Sequence, residues 1–207
     1  DLKPTETDLY ATRWFDALLR QSAAEIKDLF GKYRLNEALM LLFRLIHDEF
    51  SGWYLEMVKP AYGLPIAKEV LDTTYHYFEK LLQLLHPFMP FITEEIWQDL
   101  TPRQQNESIM VSLIDIPAPL AEDNQIITQM ETVKEVITQI RAIRNSRNIP
   151  QKESLQLEAI GQNPVEQYKS VICKMANVNK VSTVSLKSEG SSAFIVGTTE
   201  FAVPLGD

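Results

Sequence analysis

The side chains that carry most enzymatic chemistry are few and scattered in this sequence. Its three histidines, His47, His76 and His86, fall in separate helical stretches, and none has the i,i+4 partner of a helical zinc site. Cys173, the single cysteine, has no signature around it and reads as a buried, inert thiol. Glu94-Glu95 opens a short helix, where acids complement the helix dipole better than they suggest paired acid–base work. The seven glycines form neither G-x-G-x-x-G nor G-x-x-x-x-G-K-[ST]. What remains is a set of arginines and aromatics. Arg13, Arg20 and Lys27 are seven apart and share nearly one side of a helix, with Trp14 beside the first. An aromatic next to a guanidinium suits a stacked, unpaired base. The competing reading pairs Asp16 with Arg20 at i,i+4 and packs Trp14 on Leu18. A second set, Arg141, Arg144 and Arg147, steps by three along the end of another helix. Arginine forks match phosphate oxygens. Cations at a helix C-terminus are also favoured by the dipole, by ~0.3–1 kcal/mol each.

The composition narrows the setting. The chain has 207 residues, 45% hydrophobic and 23% charged, which suits one large domain or one with a small companion. A lone cysteine excludes a disulfide framework. No apolar run reaches ~18 residues, so no membrane span is expected. There is no basic, apolar leader, and the first residue is Asp1. A cytoplasmic protein, or a piece cut from one, fits. The net charge of −8 argues against indiscriminate binding to nucleic acid or anionic lipid. The charge is uneven, however: residues 134–187 hold nine bases and four acids.

Long helices must position these side chains. Thr7 or Asp8 can cap a helix that runs to Phe30, with Gly31 as its stop. Asn36 can cap a second, whose stripe Leu39, Leu42, Ile46, Phe50, Trp53 and Met57 is expected to face the core until Pro60 ends the helix. A third starts at Pro65 and closes at Pro87. After His86–Phe91, Thr93 reads as the cap of a short helix to Leu100. Ile109–Val111 reads as extended, and Ile116–Pro119 as an irregular link. Asp123 can cap a fourth long helix with the seam Ile126, Met130, Val133, Ile137, Ile140 and Ile143, ended by Ile149-Pro150. Residues 151–207 read as a small α+β unit of order β-α-β-β, with Gly197-Thr198-Thr199 in a hairpin. The expected fold is mainly α: a helical bundle over residues 1–150 followed by that unit. Trp53 and Trp97 are expected in the core, and Trp14 partly exposed.

Several motifs then resemble those of one family. Phe50-Ser51-Gly52-Trp53-Tyr54-Leu55-Glu56-Met57-Val58-Lys59-Pro60 is similar to the F-x-x-W-Y-L-E-x-x-K-P stretch of valyl-tRNA synthetases. Leu84-Leu85-His86-Pro87-Phe88-Met89-Pro90-Phe91-Ile92-Thr93-Glu94-Glu95-Ile96-Trp97 resembles their L-L-H-P-F-M-P-F-I-T-E-E-[LI]-W. Tyr33–Ala38, Ser108–Val111 and Ile140–Asn145 match in the same order, so the likeness covers nearly the whole chain. Isoleucine and leucine enzymes share a looser H-P-x-x-P-x-x-x-E-E-x-W and are the alternative, as is a non-catalytic helical scaffold for protein partners.

The resemblance implies a helical anticodon-binding domain, 1–150, and a small junction domain, 151–207, that precedes a coiled coil. The partner it implies is a valine-specific tRNA, bound by a cytoplasmic monomer with no membrane contact. ATP with Mg and valine belong to the parent enzyme. Signatures of the H-I-G-H and K-M-S-K-S type are absent, and Lys174-Met175-Ala176-Asn177 is only an echo. No catalytic residue, cofactor or metal is therefore expected in this chain. The candidate tRNA-binding residues are Arg13, Trp14, Arg20, Tyr77, Phe78, Arg141, Arg144 and Arg147. Core packing competes for at least one of Tyr77 and Phe78.

Overall fold

A computed structural model describes residues 2–205. By packing, the chain divides after Asp123 into two units. The sequence reading placed its boundary at Pro150, so the fourth long helix is grouped here with the sheet rather than with the preceding helices.

The first unit begins with α1 (Glu6–Gly31). Its cap is Thr5, earlier than expected. The Thr5 hydroxyl accepts from the Asp8 amide, and the Asp8 carboxylate accepts from the Thr5 amide at 2.8 Å, so two orphan donors are satisfied reciprocally. Next comes one continuous helical rod made of α2 (Leu35–Arg44), a π-helical stretch (Leu45–Tyr54) and α3 (Leu55–Val58). Lys59 turns extended ahead of Pro60, as the ring of a following proline requires.

The π winding corrects the expected stripe. An i→i+5 ladder takes up an additional residue per turn, so the buried side runs through Leu42, Leu45, Phe50, Tyr54 and Met57. Trp53 is thereby rotated to a half-buried position, Tyr54 takes its place inside, and Leu39 is exposed. α4 (Lys68–Leu85) and α5 (Pro90–Leu100) complete the helices of this unit. Phe15 of α1 is the hub of the core. Its ring lies 5.4 Å from Phe50, 5.1 Å from Tyr54 and 4.9 Å from Tyr77.

Beyond α4, the proline-rich bend is held by Thr93. Thr93 does not cap a helix as expected, because α5 already starts at Pro90. Its buried hydroxyl is hydrogen-bonded to the Met89 carbonyl and to His86 Nδ1, each at 2.8 Å. A smaller core forms around Leu82, Trp97 and Ile109. Ile109 lies in a 3-10 turn (Ile109–Val111) capped by Ser108, not in an extended segment. Trp97 Nε1 donates to Glu79, and the Arg103 guanidinium sits 3.5 Å above the ring centre. We expect Trp97→Ala to cost ~3–5 kcal/mol and the half-buried Trp53→Ala clearly less. Urea unfolding of the two variants orders them.

In the second unit, α6 (Asp123–Arg147) buries Ile126, Met130, Val133, Val136, Ile137 and Ile140. β1 (Leu155–Ile160), α7 (Lys169–Ala176) and β2 (Val178–Val184) form a crossover with β1 and β2 parallel. β3 (Ser191–Val196) and β4 (Thr199–Pro204) make the expected hairpin. β4 runs antiparallel beside β1, giving the order β2-β1-β4-β3. The mainly helical chain with a terminal α+β unit is as the sequence indicated.

Candidate functional site

The α1 stripe separates into a surface part and a core part. Consecutive helix residues are about 100° apart, so an outward Arg13 turns Trp14 toward the interior. Arg13 is exposed and makes no ion pair among the described residues, whereas Trp14 is 0% exposed and edge-on to Phe15. The expected partial exposure of Trp14 is corrected: as folded, this ring is not open to a base. Tyr77 is also enclosed. Its hydroxyl donates to Asp16 Oδ1 at 2.7 Å, and burial together with that carboxylate pushes the phenol far above its usual range. Tyr54 is pushed up to about 12, mainly by burial. Phe78 is half-buried, packed on the Trp97 cluster and stacked on Phe50.

Arg20 is taken up by the fold. Its partner is Asp123 rather than Asp16: Nε and Nη2 donate to the two carboxylate oxygens at 2.9 and 2.6 Å. The Leu120 amide adds a third donor to the same carboxylate. These donors, the guanidinium first, hold the Asp123 carboxyl below the usual range despite its burial. A carboxyl so depressed stabilises the fold above its unfolded pKa, and that contribution is lost as the pH falls through the folded value. Removing one partner of a buried pair costs ~3–5 kcal/mol. Arg20 keeps 15% of its side chain in water and can turn outward, so Asp123→Asn should fall at the lower end, about 3 kcal/mol. Stability curves below pH ~4 should be flatter for the variant than for the parent chain.

Beside Arg20 lies a cleft of about 590 Å³. Its walls are Ala23, Ala24, Ile26 and Phe30 of α1, Leu84 near the end of α4 with Pro87 beyond it, and Ile114 with Ile116–Pro119 opposite. Arg20, Lys27 and Gln83 are its polar side chains, and exposed Lys27 has no ion pair among the described residues. Sequence reasoning missed this site. Its far wall was read only as an irregular link, and the available signal was the Ile-Pro-Ala-Pro run, stiff and apolar without being helical.

The arginines of α6 also divide. Arg144 is 1% exposed, and its fork donates to the carbonyls of Pro150 (3.1 Å), Ala176 (3.0 Å) and Asn177 (2.9 Å). Arg141 is half-buried and donates to the Met175 carbonyl at 2.9 Å. Of the three, only Arg147 is exposed. Two of the three therefore cap the C-terminus of α7, whose last carbonyls lack helical donors. No group of three or more His, Cys, Asp or Glu arranged to hold a metal occurs among the described residues, and no helix there is long and apolar enough to cross a membrane.

Of the three cations of α1, Arg13 and Lys27 are exposed, and Lys27 lines a mostly apolar cleft. Residues 12–159 match the family described as the anticodon-binding domain of tRNA ligase, and the chain belongs to that family. It is 51% identical over its whole length to a valine–tRNA ligase of Phocaeicola vulgatus, of which it covers 23%. It is 47% identical to that of Bacteroides thetaiotaomicron, covering all of this chain and 24% of that protein. For Christiangramia forsetii the identity is 34%, over 99% of this chain and 23% of the ligase. The chain thus spans about a quarter of the length of these relatives.

Proposed function

We propose that this chain is the part of a valine–tRNA ligase that holds the anticodon arm of its tRNA. The parent enzyme would use ATP with Mg to attach valine, chemistry for which this chain supplies no residue. Residues 1–150 carry the recognition and 151–207 form the junction unit. A monomer working in the cytoplasm accords with this reading.

The observation that carries the proposal is the cleft beside Lys27, which lies within the stretch matched by the family. An unstacked base needs a flat, apolar slot, and the prolines opposite α1 offer one. Its phosphate needs a cation not already committed to a carboxylate. Lys27 at the cleft and Arg13 two turns before Arg20 meet that need, while Arg20 holds Asp123.

Binding of a valine tRNA and of the same tRNA with a substituted anticodon, titrated over salt, tests this. The valine anticodon should be preferred, and Arg13→Ala and Lys27→Ala should each reduce the slope of log K against log salt by about 1. No binding at low salt, or equal affinity for both tRNAs, would overturn the reading and favour a protein-binding scaffold.

A further inference from the structure

The start of α5 and the 3-10 turn after that helix carry apolar side chains that the core does not take. Phe91, Met110 and Leu113 are 89, 78 and 87% exposed, and Met89, Ile92 and Val111 are exposed as well. Thr93 and Trp97, one turn apart, take the inner side of α5, so Phe91, about 200° around the helix from Thr93, faces solvent. In the 3-10 turn Ile109 enters the core with Leu82 and Trp97, which leaves Met110 and Val111 outside.

One carboxylate ties the two sets together. Glu94, one turn after Phe91, accepts from the Ser108 hydroxyl at 2.6 Å and from the Ile109 amide at 3.4 Å. The far end is fixed to α4, where Gln83 Nε2 donates to the Ser112 hydroxyl at 2.8 Å and to the Leu113 carbonyl at 3.1 Å. The surroundings are acidic. From Phe88 to Leu120 the sequence holds five acids, Glu94, Glu95, Asp99, Glu107 and Asp115. Its single base there, Arg103, lies over Trp97 and pairs with Glu79 at 2.7 Å. A surface of this charge repels a phosphate backbone, so tRNA does not cover it. Neighbouring exposed apolar side chains of this size mark a contact with protein. The chain makes up only 23% of the Phocaeicola vulgatus ligase, so most of the protein available to cover this face in such an enzyme lies outside the chain.

We propose that this face, made by Met89, Phe91, Ile92, Met110, Val111 and Leu113, packs against an apolar surface of the remainder of the parent ligase. The inference rests on the ligase reading above and adds a protein contact to it. Its residues are distinct from the cations assigned to tRNA. Seated in this way, the first unit would hold the cleft and Lys27 at a fixed place relative to the part of the enzyme that attaches valine.

The test compares the complete parent ligase with this chain, both without tRNA, under brief oxidation by hydrogen peroxide. Mass spectrometry reads Met110 and, as the reference, Met40, which is exposed on α2. Oxidation follows exposure, so Met110 should react about tenfold more slowly in the ligase than in the chain, with Met40 altered by less than about twofold. Phe91→Asp with Leu113→Asp, placed in the ligase, should raise the Met110 rate toward that of the chain. Both side chains are exposed, so the same pair should leave the melting temperature of the chain unchanged. Equal Met110 rates in ligase and chain would overturn the proposal, as would slowing at Met40 instead. Met110 oxidation that slows in the chain itself as protein concentration rises would assign the face to a second copy and overturn it too. Failure of the ligase reading would appear separately, as equal binding of the two tRNAs by the unsubstituted chain. A preserved anticodon preference with Met110 unprotected would defeat this proposal alone.

Discussion

Arg144→Ala should unfold the second unit or leave it marginally stable. The side chain is 1% exposed and donates to three main-chain carbonyls, one in the loop after α6 and two at the end of α7. A buried acceptor left without its donor costs ~1–3 kcal/mol, and the cavity left by the guanidinium adds to this. The sum, roughly 4 kcal/mol or more, is a large share of the 5–15 kcal/mol that ordinarily holds a domain together. Two substitutions separate the contributions. Arg144→Met refills the volume and leaves the carbonyls bare, so it should recover only the cavity part. Arg144→Lys keeps a charge but loses the planar fork that reaches three oxygens at once, and should also remain well below the parent.

Hydrogen exchange gives the local readout. The Leu155 amide donates to the Asn177 carbonyl, the same oxygen that Arg144 holds, and this bond starts the pairing of β1 with β2. Exchange at Leu155 and along β1 should accelerate in Arg144→Ala by a factor on the order of 10³ for 4 kcal/mol. Unchanged protection of β1 would mean that the arginine is dispensable and that its charge is held for another purpose.

How much of this was legible in the sequence depends on how local the deciding contact is. Gly31, Pro60, Pro87 and Pro150 punctuate the chain, and the long helices between them were readable from periodicity. The β-α-β-β order was readable from the change of period, and the hairpin from its turn at Gly197; the parallel pairing of β1 with β2 was not. Nor was the π winding of Leu45–Tyr54, because nothing in a three-and-four stripe shows that these ten residues will bond i→i+5. That is why Trp53 and Tyr54 exchanged places. Partners far apart in sequence were equally hidden. Arg20 had a local candidate in Asp16, yet its carboxylate lies at Asp123, and Asp16 serves Tyr77 instead. Arg144 was readable as a cation near a helix end, but the carbonyls it holds lie at the end of another helix and just past it, 32 and 33 residues on. The cleft was hidden for a different reason: its wall is a proline-rich link, and periodicity has nothing to say about such segments.

Trp14→Ala should behave as a core truncation. Trp14 is among the largest fully enclosed side chains, and it abuts Phe15, the ring on which Phe50, Tyr54 and Tyr77 converge. Deleting a buried tryptophan costs ~3–5 kcal/mol, so the melting temperature should fall by about 6–20 °C at 2–4 °C per kcal/mol. Trp14→Phe, which keeps a ring in the cavity, should lose much less. Affinity for tRNA provides the second axis. Measured well below the melting point of each variant, it should be within about twofold of the parent chain for both substitutions, because the ring touches no solvent. Loss of a stacked base would instead cost ~1–3 kcal/mol of binding with the melting temperature preserved. Arg13→Ala, one residue away on the outer side, should give the opposite pattern: an unchanged melting temperature and a salt slope lower by about 1. The two neighbours thus report on different layers of one helix. A Trp14→Ala chain that melts with the parent yet binds tRNA tenfold more weakly would place the ring at the RNA surface and overturn the packing described for α1.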